Sequence, residues 1–251
     1  MQGLILAAGM GKRLKKHTEC KPKVLMNVQD ICLLTNALEQ LVRKGIKETV
    51  IVVGYKKEMI IEKYGFEYKG MKIIYVENCL YETTNNIYSF YLAENYIHDD
   101  VLMLEGDLLY NYDLLDEISK SDAECSILVS KYNKETMNGT VILADENGQA
   151  KSLVVKDMQG ENFDYENAWK TVNIYKIKKD FIKKHLFPVV KFYIDTEDSD
   201  SYYEKALGSI IYYNKHDIRI IKVKEEEWFE IDDETDLKYA IENFNANSKR
   251  K

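Results

Sequence analysis

Cysteine and histidine are scarce, with four of each in 251 residues. Cys20, Cys32, Cys79 and Cys125 form no C-x-x-C pair, which argues against a zinc ribbon or a redox dithiol and leaves free or buried thiols suited to a reducing compartment. His17, His98, His185 and His216 lie too far apart for metal-ligand spacing. No apolar run approaches the ~20 residues of a membrane span, and no secretory apolar core follows Met1. A cytoplasmic location with no membrane partner is therefore expected. Positive charge is not in excess: the formal net charge is −7, which disfavours a nucleic-acid surface. Glycine is withheld where two nucleotide motifs need it. Position 14 is leucine, so Gly9 and Gly11 do not extend into G-x-G-x-x-G, and no Gly-Lys-Ser/Thr follows to make a Walker A loop.

What is present reads as an α/β chain. Hydrophobic residues make up 45% of the sequence, enough for a substantial core. Apolar runs at Leu4–Ala7, Thr49–Val53, Met71–Val76 and Val101–Leu104 predict buried strands. They alternate with helical spacing over 31–44, 56–64 and 87–96, as in a parallel sheet flanked by helices. After residue 120 the rhythm turns mixed. Strands are expected at 123–130, 139–144, 152–156, 172–177 and 218–223, with an Asn147-Gly148 hairpin turn. Helices are expected near 178–193 and 200–214, and a last one from Asp233 to Phe244. No Gly/Ser- or Pro-rich linker divides the chain. One domain over 1–251 is expected, with a nucleotide-binding half at 1–120, an acceptor-binding half at 121–232 and a closing helix at 233–245. The tail beyond Asn245 is polar and expected to fray.

The chemistry concentrates at the first strand. Leu6-Ala7-Ala8-Gly9-Met10-Gly11-Lys12-Arg13 leads to Pro22-Lys23-Val24-Leu25. Gly9 and Gly11 can adopt positive φ and turn backbone N–H groups toward a phosphate. Arg13 supplies a planar fork and Lys23 a point charge to neutralise it. Lys23 is expected to be exposed, facing phosphate and contributing little to folding. Asp107 follows a buried strand, where open α/β sheets bind ligands. It suits a Mg²⁺ held against nucleotide phosphates, or else a turn cap. Asp232 stands at a strand-to-helix junction and suits the same metal; equally, Asp232 or Asp233 can cap the last helix, with Asp236 near its dipole. Lys156 and Lys170 are candidates to hold an acceptor phosphate, or are simply exposed. Tyr175, Tyr202, Tyr203, Trp228 and Phe229 offer an aromatic box for a quaternary ammonium, or plain packing. Glu204 or Asp195 offers a partner for a primary amine.

L-A-A-G-x-G-x-R followed by P-K-x-L resembles the signature of nucleotidyltransferases that activate sugar phosphates and small phosphorylated alcohols. Position 12 departs from it, carrying lysine where that family usually has Ser or Thr. Thr83–Ser89 and Trp228–Asp232 resemble the branch that includes phosphocholine and 2-aminoethylphosphonate cytidylyltransferases. Lys170–Tyr175 and Asp200–Glu204 are most similar to the phosphonate members. The resemblance implies a Rossmann-like nucleotidyltransferase fold, with a mostly parallel sheet and a smaller mixed acceptor-binding region, in a monomer or homodimer. It implies CTP and a small phosphorylated or phosphonylated amino alcohol as substrates, and Mg²⁺ as cofactor; a sugar-1-phosphate nucleotidyltransferase, which shares the loop and metal site, and a non-catalytic nucleotide-binding regulatory module are the alternatives. It assigns Leu6, Ala7, Ala8, Gly9, Gly11, Lys12 and Arg13 to the triphosphate, and Lys23 with Arg13 to catalysis. Thr84, Asn85, Asn86 and Ser89 fall beside the base, unless they only cap a helix. Asp107 and Asp232 fall to the metal, and Lys156, Lys170, Asn173, Tyr203, Trp228 and Glu230 to the acceptor.

Overall fold

Strand Gln2–Ala7 is apolar on both faces, and its side chains divide between two cores. Leu4 and Leu6 join one buried cluster, Ile5 and Ala7 the other, as the two-residue period of a strand requires. The computed structural model describes residues 1–196, 199–213 and 215–244. In it, Gln2–Ala7 lies parallel between Glu48–Val53 and Val101–Glu105, and Met71–Glu77 extends the parallel run beyond Glu48–Val53. Helices Leu33–Arg43 and Lys57–Tyr64 cover one face, and Asn86–Leu92 the other. The expected 31–44 helix begins two residues late, because Ile31–Cys32 pairs with Asn27–Val28 in a short ribbon.

The mixed half continues the same sheet. Trp169–Ile177 runs antiparallel to Val101–Glu105 on one edge and to Cys125–Lys131 on the other, and Ile218–Lys222 pairs parallel with Cys125–Lys131. Val141–Ala144 and Ala150–Val154 form the expected hairpin, docked on Trp169–Lys170. The result is a ten-stranded sheet, a mixed α/β architecture with a mostly parallel centre. The helical stretch predicted over 178–193 runs from Lys179 to Thr196 with a π-turn at Ile182–Leu186. It sits just before Pro188, whose missing N–H cannot close a regular turn. Tyr203–Tyr212 and Glu234–Asn243 are the last two helices. The predicted tail beyond Asn245 lies outside the described residues.

Two local features aim side chains at the carboxyl ends of the parallel strands. The first is a bulge in Trp169–Ile177. Thr171 pairs with Val129 and Tyr175 with Ile127, so residues 172–174 face Leu128 alone. Asn173 takes φ 59° at this bulge, a left-handed conformation that asparagine tolerates better than most residues. The second is a two-stranded ribbon, Trp228–Glu230 antiparallel to Leu108–Tyr110, in which Glu230 pairs with Leu108 and the Ile231 N–H bonds the Asp107 carbonyl at 3.0 Å. Residues 120 positions apart in sequence thus become neighbours.

Candidate functional site

A cavity of about 540 Å³ opens where these features meet. The glycine loop forms one wall. Gly11 adopts φ 65°, and a Cβ there would stand 2.9 Å from the Lys23 Cβ. Glycine is therefore required both by the backbone and by the close approach of the lysine. Gly9 does not take positive φ, and a Cβ on it would meet nothing within 4 Å. The Thr18 hydroxyl donates to the Gly11 carbonyl at 2.9 Å and ties the loop back. Pro22, with φ −67°, starts the tight turn Lys23–Leu25 that carries the lysine inward.

The sequence led us to expect an exposed Lys23, and the structure buries it. The residue is only 8% exposed, and its ammonium lies 2.8 Å from Asp107 Oδ2 and 2.9 Å from Asp232 Oδ1. Burial alone would lower the pKa of this lysine. The two carboxylates outweigh that and hold its pKa above the ordinary value. Asp232 also receives Arg13 at 2.8 Å. Burial opposes its charge too, but Lys23 and Arg13 pull its pKa below the usual carboxylate range. Asp232 is not the helix cap. Asp233 caps through the N–H groups of Thr235 and Asp236 at 2.7 and 3.1 Å, and the Asp236 carboxylate reaches back to the N–H groups of Asp232 and Asp233. This reciprocal box leaves the Asp232 side chain free to face the cavity.

Farther in, the wall is acidic. Ligand oxygens of Glu105, Asp107 and Glu230 lie within 4.8 Å of one another, and Asp107 Oδ1 is buried without a hydrogen-bond partner. An orphaned carboxylate oxygen among other oxygen donors fits a hard divalent cation. Asp107 belongs to this trio and also to the Lys23-bridged pair with Asp232. Desolvation, reinforced by Glu204 and Asp107, pushes the Glu105 carboxyl well above its usual range. Desolvation also raises Glu204 to about 7 and shifts Glu230 upward against the pull of Lys170. The Asn86 amide donates to Glu105 at 3.1 Å and to Glu204 at 3.2 Å, while its oxygen accepts the Tyr203 N–H at 3.0 Å.

The other expected site residues divide into those that line the cavity and those that do not. Leu6, Ala7, Ala8, Lys12, Thr84, Asn85, Ser89, Lys156, Lys170 and Asn173 line the cavity with those already described. Asn85 caps helix Asn86–Leu92, its Oδ1 taking the Asn86 N–H at 2.8 Å. The Lys170 ammonium is committed to Glu230 at 3.0 Å and to the Thr171 carbonyl, whereas Lys156 is exposed. Asn173 donates to Glu230 at 2.9 Å, which explains the bulge as a device that orients Glu230. Tyr203 and Trp228 do not line the main cavity. The Tyr203 hydroxyl supports Glu105 from behind at 2.9 Å, and the Trp228 ring lies under the Lys170 ammonium, 5.6 Å from it. Sequence reasoning missed Asn78. It is 1% exposed, and its amide donates to Thr84 Oγ1 at 3.0 Å and Ser89 Oγ at 3.1 Å. Its place just past a parallel strand was the available signal.

With this geometry established, comparison with known proteins gives the family. A nucleotidyl transferase family model matches residues 2–168. The chain belongs to the nucleotidyl transferase family. Among relatives, it is 32% identical over 240 residues to a CMP-5'-(3-aminopropyl)phosphonate synthase of Streptomyces rubellomurinus, covering 96% of this chain but 38% of that longer protein. It is 28% identical to the choline-phosphate cytidylyltransferase of Streptococcus pneumoniae, covering 84% of this chain and 92% of the relative. Among solved structures, a CTP:phosphocholine cytidylyltransferase from Streptococcus pneumoniae superposes with a TM-score of 0.75 at 22% identity, covering 96% of this chain and 97% of the other. This likeness shows the Rossmann-like fold of the nucleotidyltransferases. Among the described residues, no helix is long and apolar enough to cross a membrane.

Proposed function

We propose that this chain is a CTP-dependent cytidylyltransferase that transfers CMP to a small phosphonylated or phosphorylated amino alcohol and releases pyrophosphate. The observation that carries the reading is the convergence in one cavity of the glycine loop, Lys23 and the Asp107–Asp232 carboxylates. That arrangement handles phosphates without a covalent nucleophile. The similarity to a phosphonate CMP-transferase and to a choline-phosphate cytidylyltransferase supports cytidine and a compact acceptor. Free thiols at Cys20, Cys32, Cys79 and Cys125 suit work in a reducing cytoplasm.

In this reading the loop N–H groups and Arg13 receive the triphosphate. A phosphonate or phosphate oxygen of the acceptor attacks the α-phosphorus. The bond from that phosphorus to the bridging oxygen breaks, and the electron pair leaves with pyrophosphate. Two anions must meet, so the barrier is largely electrostatic. Lys23 turns from its carboxylates toward the α-phosphate and offsets charge there, and Lys156 holds the acceptor's anionic end. Asp107 and Asp232, with Glu230 beside Asp107, would hold Mg²⁺, which when bound polarises the phosphoryl oxygens and clamps the nucleotide. Asn78, Thr84 and Ser89 form the polar network at the base.

The test is pyrophosphate release across CTP, UTP, ATP and GTP with 2-aminoethylphosphonate, phosphoethanolamine, phosphocholine and glucose 1-phosphate. CTP should exceed the other nucleotides by about tenfold or more, the worth of one discriminating hydrogen bond. Turnover of UTP with glucose 1-phosphate as the best pair would replace this reading with a sugar-phosphate uridylyltransferase, the activity named for a Haloferax volcanii relative 33% identical over 160 residues.

A further inference from the structure

The acceptor's head group is the part of the substrate that family likeness leaves open, and the cavity distinguishes two chemistries. A trimethylammonium has no N–H and is recognised by aromatic faces around it. A primary ammonium has three donors and calls for oxygen acceptors.

The aromatic side chains do not form a cage in the main cavity; Trp228 and Phe229 line, with Tyr239, a second pocket that shares Lys170, Glu230 and Asp232 with it. Of Tyr175, Tyr202, Tyr203, Trp228 and Phe229, only Tyr202 lines the main cavity, and Tyr81 is the one further aromatic residue there among the described residues. Tyr175 and Tyr203 are fully buried and packed edge to face at 5.7 Å. Phe229 packs on Tyr239 and Phe244 at 5.9 and 5.8 Å.

The inner end is instead furnished with oxygen. Glu204 lies in the first turn of helix Tyr203–Tyr212, lines the cavity and is 4% exposed. Among the described residues no lysine, arginine or histidine forms an ion pair with it; the Lys170 ammonium, committed to Glu230, acts on it only from a distance, and Asn86 donates to its Oε2. The shared Asn86 amide sets Glu105 beside it. By contrast, the acids nearer the glycine loop already hold cations: Asp107 and Asp232 hold Lys23, and Glu230 holds Lys170. A buried carboxylate without a countercharge is costly unless a ligand supplies one. The cavity therefore holds cations already in contact with Asp107, Asp232 and Glu230, and a buried carboxylate at Glu204 with none in contact. A zwitterion with an anionic reacting end and a cationic tail matches it.

We propose that Glu204 binds the primary ammonium of the acceptor and selects a primary amine over a quaternary one. The proposal rests on the cytidylyltransferase reading above. It is tested by acceptor kinetics with CTP and Mg²⁺, using 2-aminoethylphosphonate, its N-trimethyl analogue and ethylphosphonate. The wild-type enzyme should prefer the primary amine over both others by about 10–100-fold in kcat/KM, the worth of a hydrogen bond to a charged group. Glu204→Gln keeps the side-chain shape and should erase most of that preference, acting through KM for the amine and leaving KM for CTP in place. Equal or better use of the trimethyl analogue by the wild type overturns the proposal without needing any variant. So does a Glu204→Gln variant that keeps the wild-type acceptor ranking. If no acceptor in the panel is turned over with CTP, the cytidylyltransferase reading itself fails, and that outcome is distinct from a wrong amine preference.

Discussion

Lys23→Ala should damage both catalysis and folding, and the two effects can be measured apart. The Lys23 ammonium bridges Asp107 and Asp232 at 2.8 and 2.9 Å, with side-chain exposures of 10%, 19% and 17% respectively. Removing it leaves two carboxylates facing each other in a largely buried site. Breaking a buried pair from one side costs about 3–5 kcal/mol, and the partial exposure of the two acids favours the lower end. For a chain of this size, about 3 kcal/mol lowers Tm by roughly 6–12 °C. An exposed lysine would cost at most about 0.5 kcal/mol. Catalysis should fall by about 100-fold or more, as for loss of a group that stabilises charge in the transition state. Thermal unfolding of both proteins, without nucleotide and then with Mg²⁺ and CTP, separates the terms. Cation binding at Asp107 and Asp232 should recover part of the lost stability, but not the turnover. A Tm change below about 2 °C, small against the 2–4 °C that a single kcal/mol produces, would refute the buried-bridge argument.

Other consequences follow from the same contacts. Asp107→Asn and Asp232→Asn should each abolish or shift the Mg²⁺ dependence of pyrophosphate release; unchanged dependence in Asp232→Asn would leave Asp107 with Glu105 and Glu230 as the metal group. Asp233→Ala should cost about 1 kcal/mol in thermal unfolding through loss of the helix cap, with turnover retained. Gly11→Ala forces a side chain into a φ of 65° and against Lys23, so activity should drop and stability fall by about 1–2 kcal/mol. Glu204 titrates near 7 in the fold against an ordinary 4.5, so the folded chain holds the extra proton between those values. Stability without ligand should therefore decline as pH rises from about 4.5 to 7, and a Glu204→Gln variant should show a shallower decline in Tm.

Much of the fold was legible because its signals are local. The apolar strands, the helical spacing between them, the glycine loop and the Asn147-Gly148 turn each announce themselves within ten residues. The loop, Lys23 and Asp107 could be read as a site for the same reason. What sequence could not show depends on pairing across long separations. The register of Trp228–Glu230 on Leu108–Tyr110 is what brings Asp232 and Glu230 to Asp107. The burial of Lys23 follows from that pairing, not from the residues around it. The bulge at Asn173 and the packing of Tyr203 behind Glu105 arise where one strand must meet several neighbours. Of the aromatic residues that suggested a cage, Tyr175 and Tyr203 fill the core while Tyr202 lines the cavity, because composition reveals how many rings there are and not which way they face.

If this site joins CMP to an amine-bearing phosphonate or phosphate, as proposed, both products can be seen directly. The most direct test is phosphorus NMR of a reaction containing the purified protein, CTP, Mg²⁺ and 2-aminoethylphosphonate. Pyrophosphate and a mixed phosphonate–phosphate anhydride should form in equal amounts, and neither should form when the acceptor is omitted. Consumption of CTP without that anhydride, or formation of a sugar nucleotide in preference when glucose 1-phosphate competes with 2-aminoethylphosphonate, would contradict the proposal.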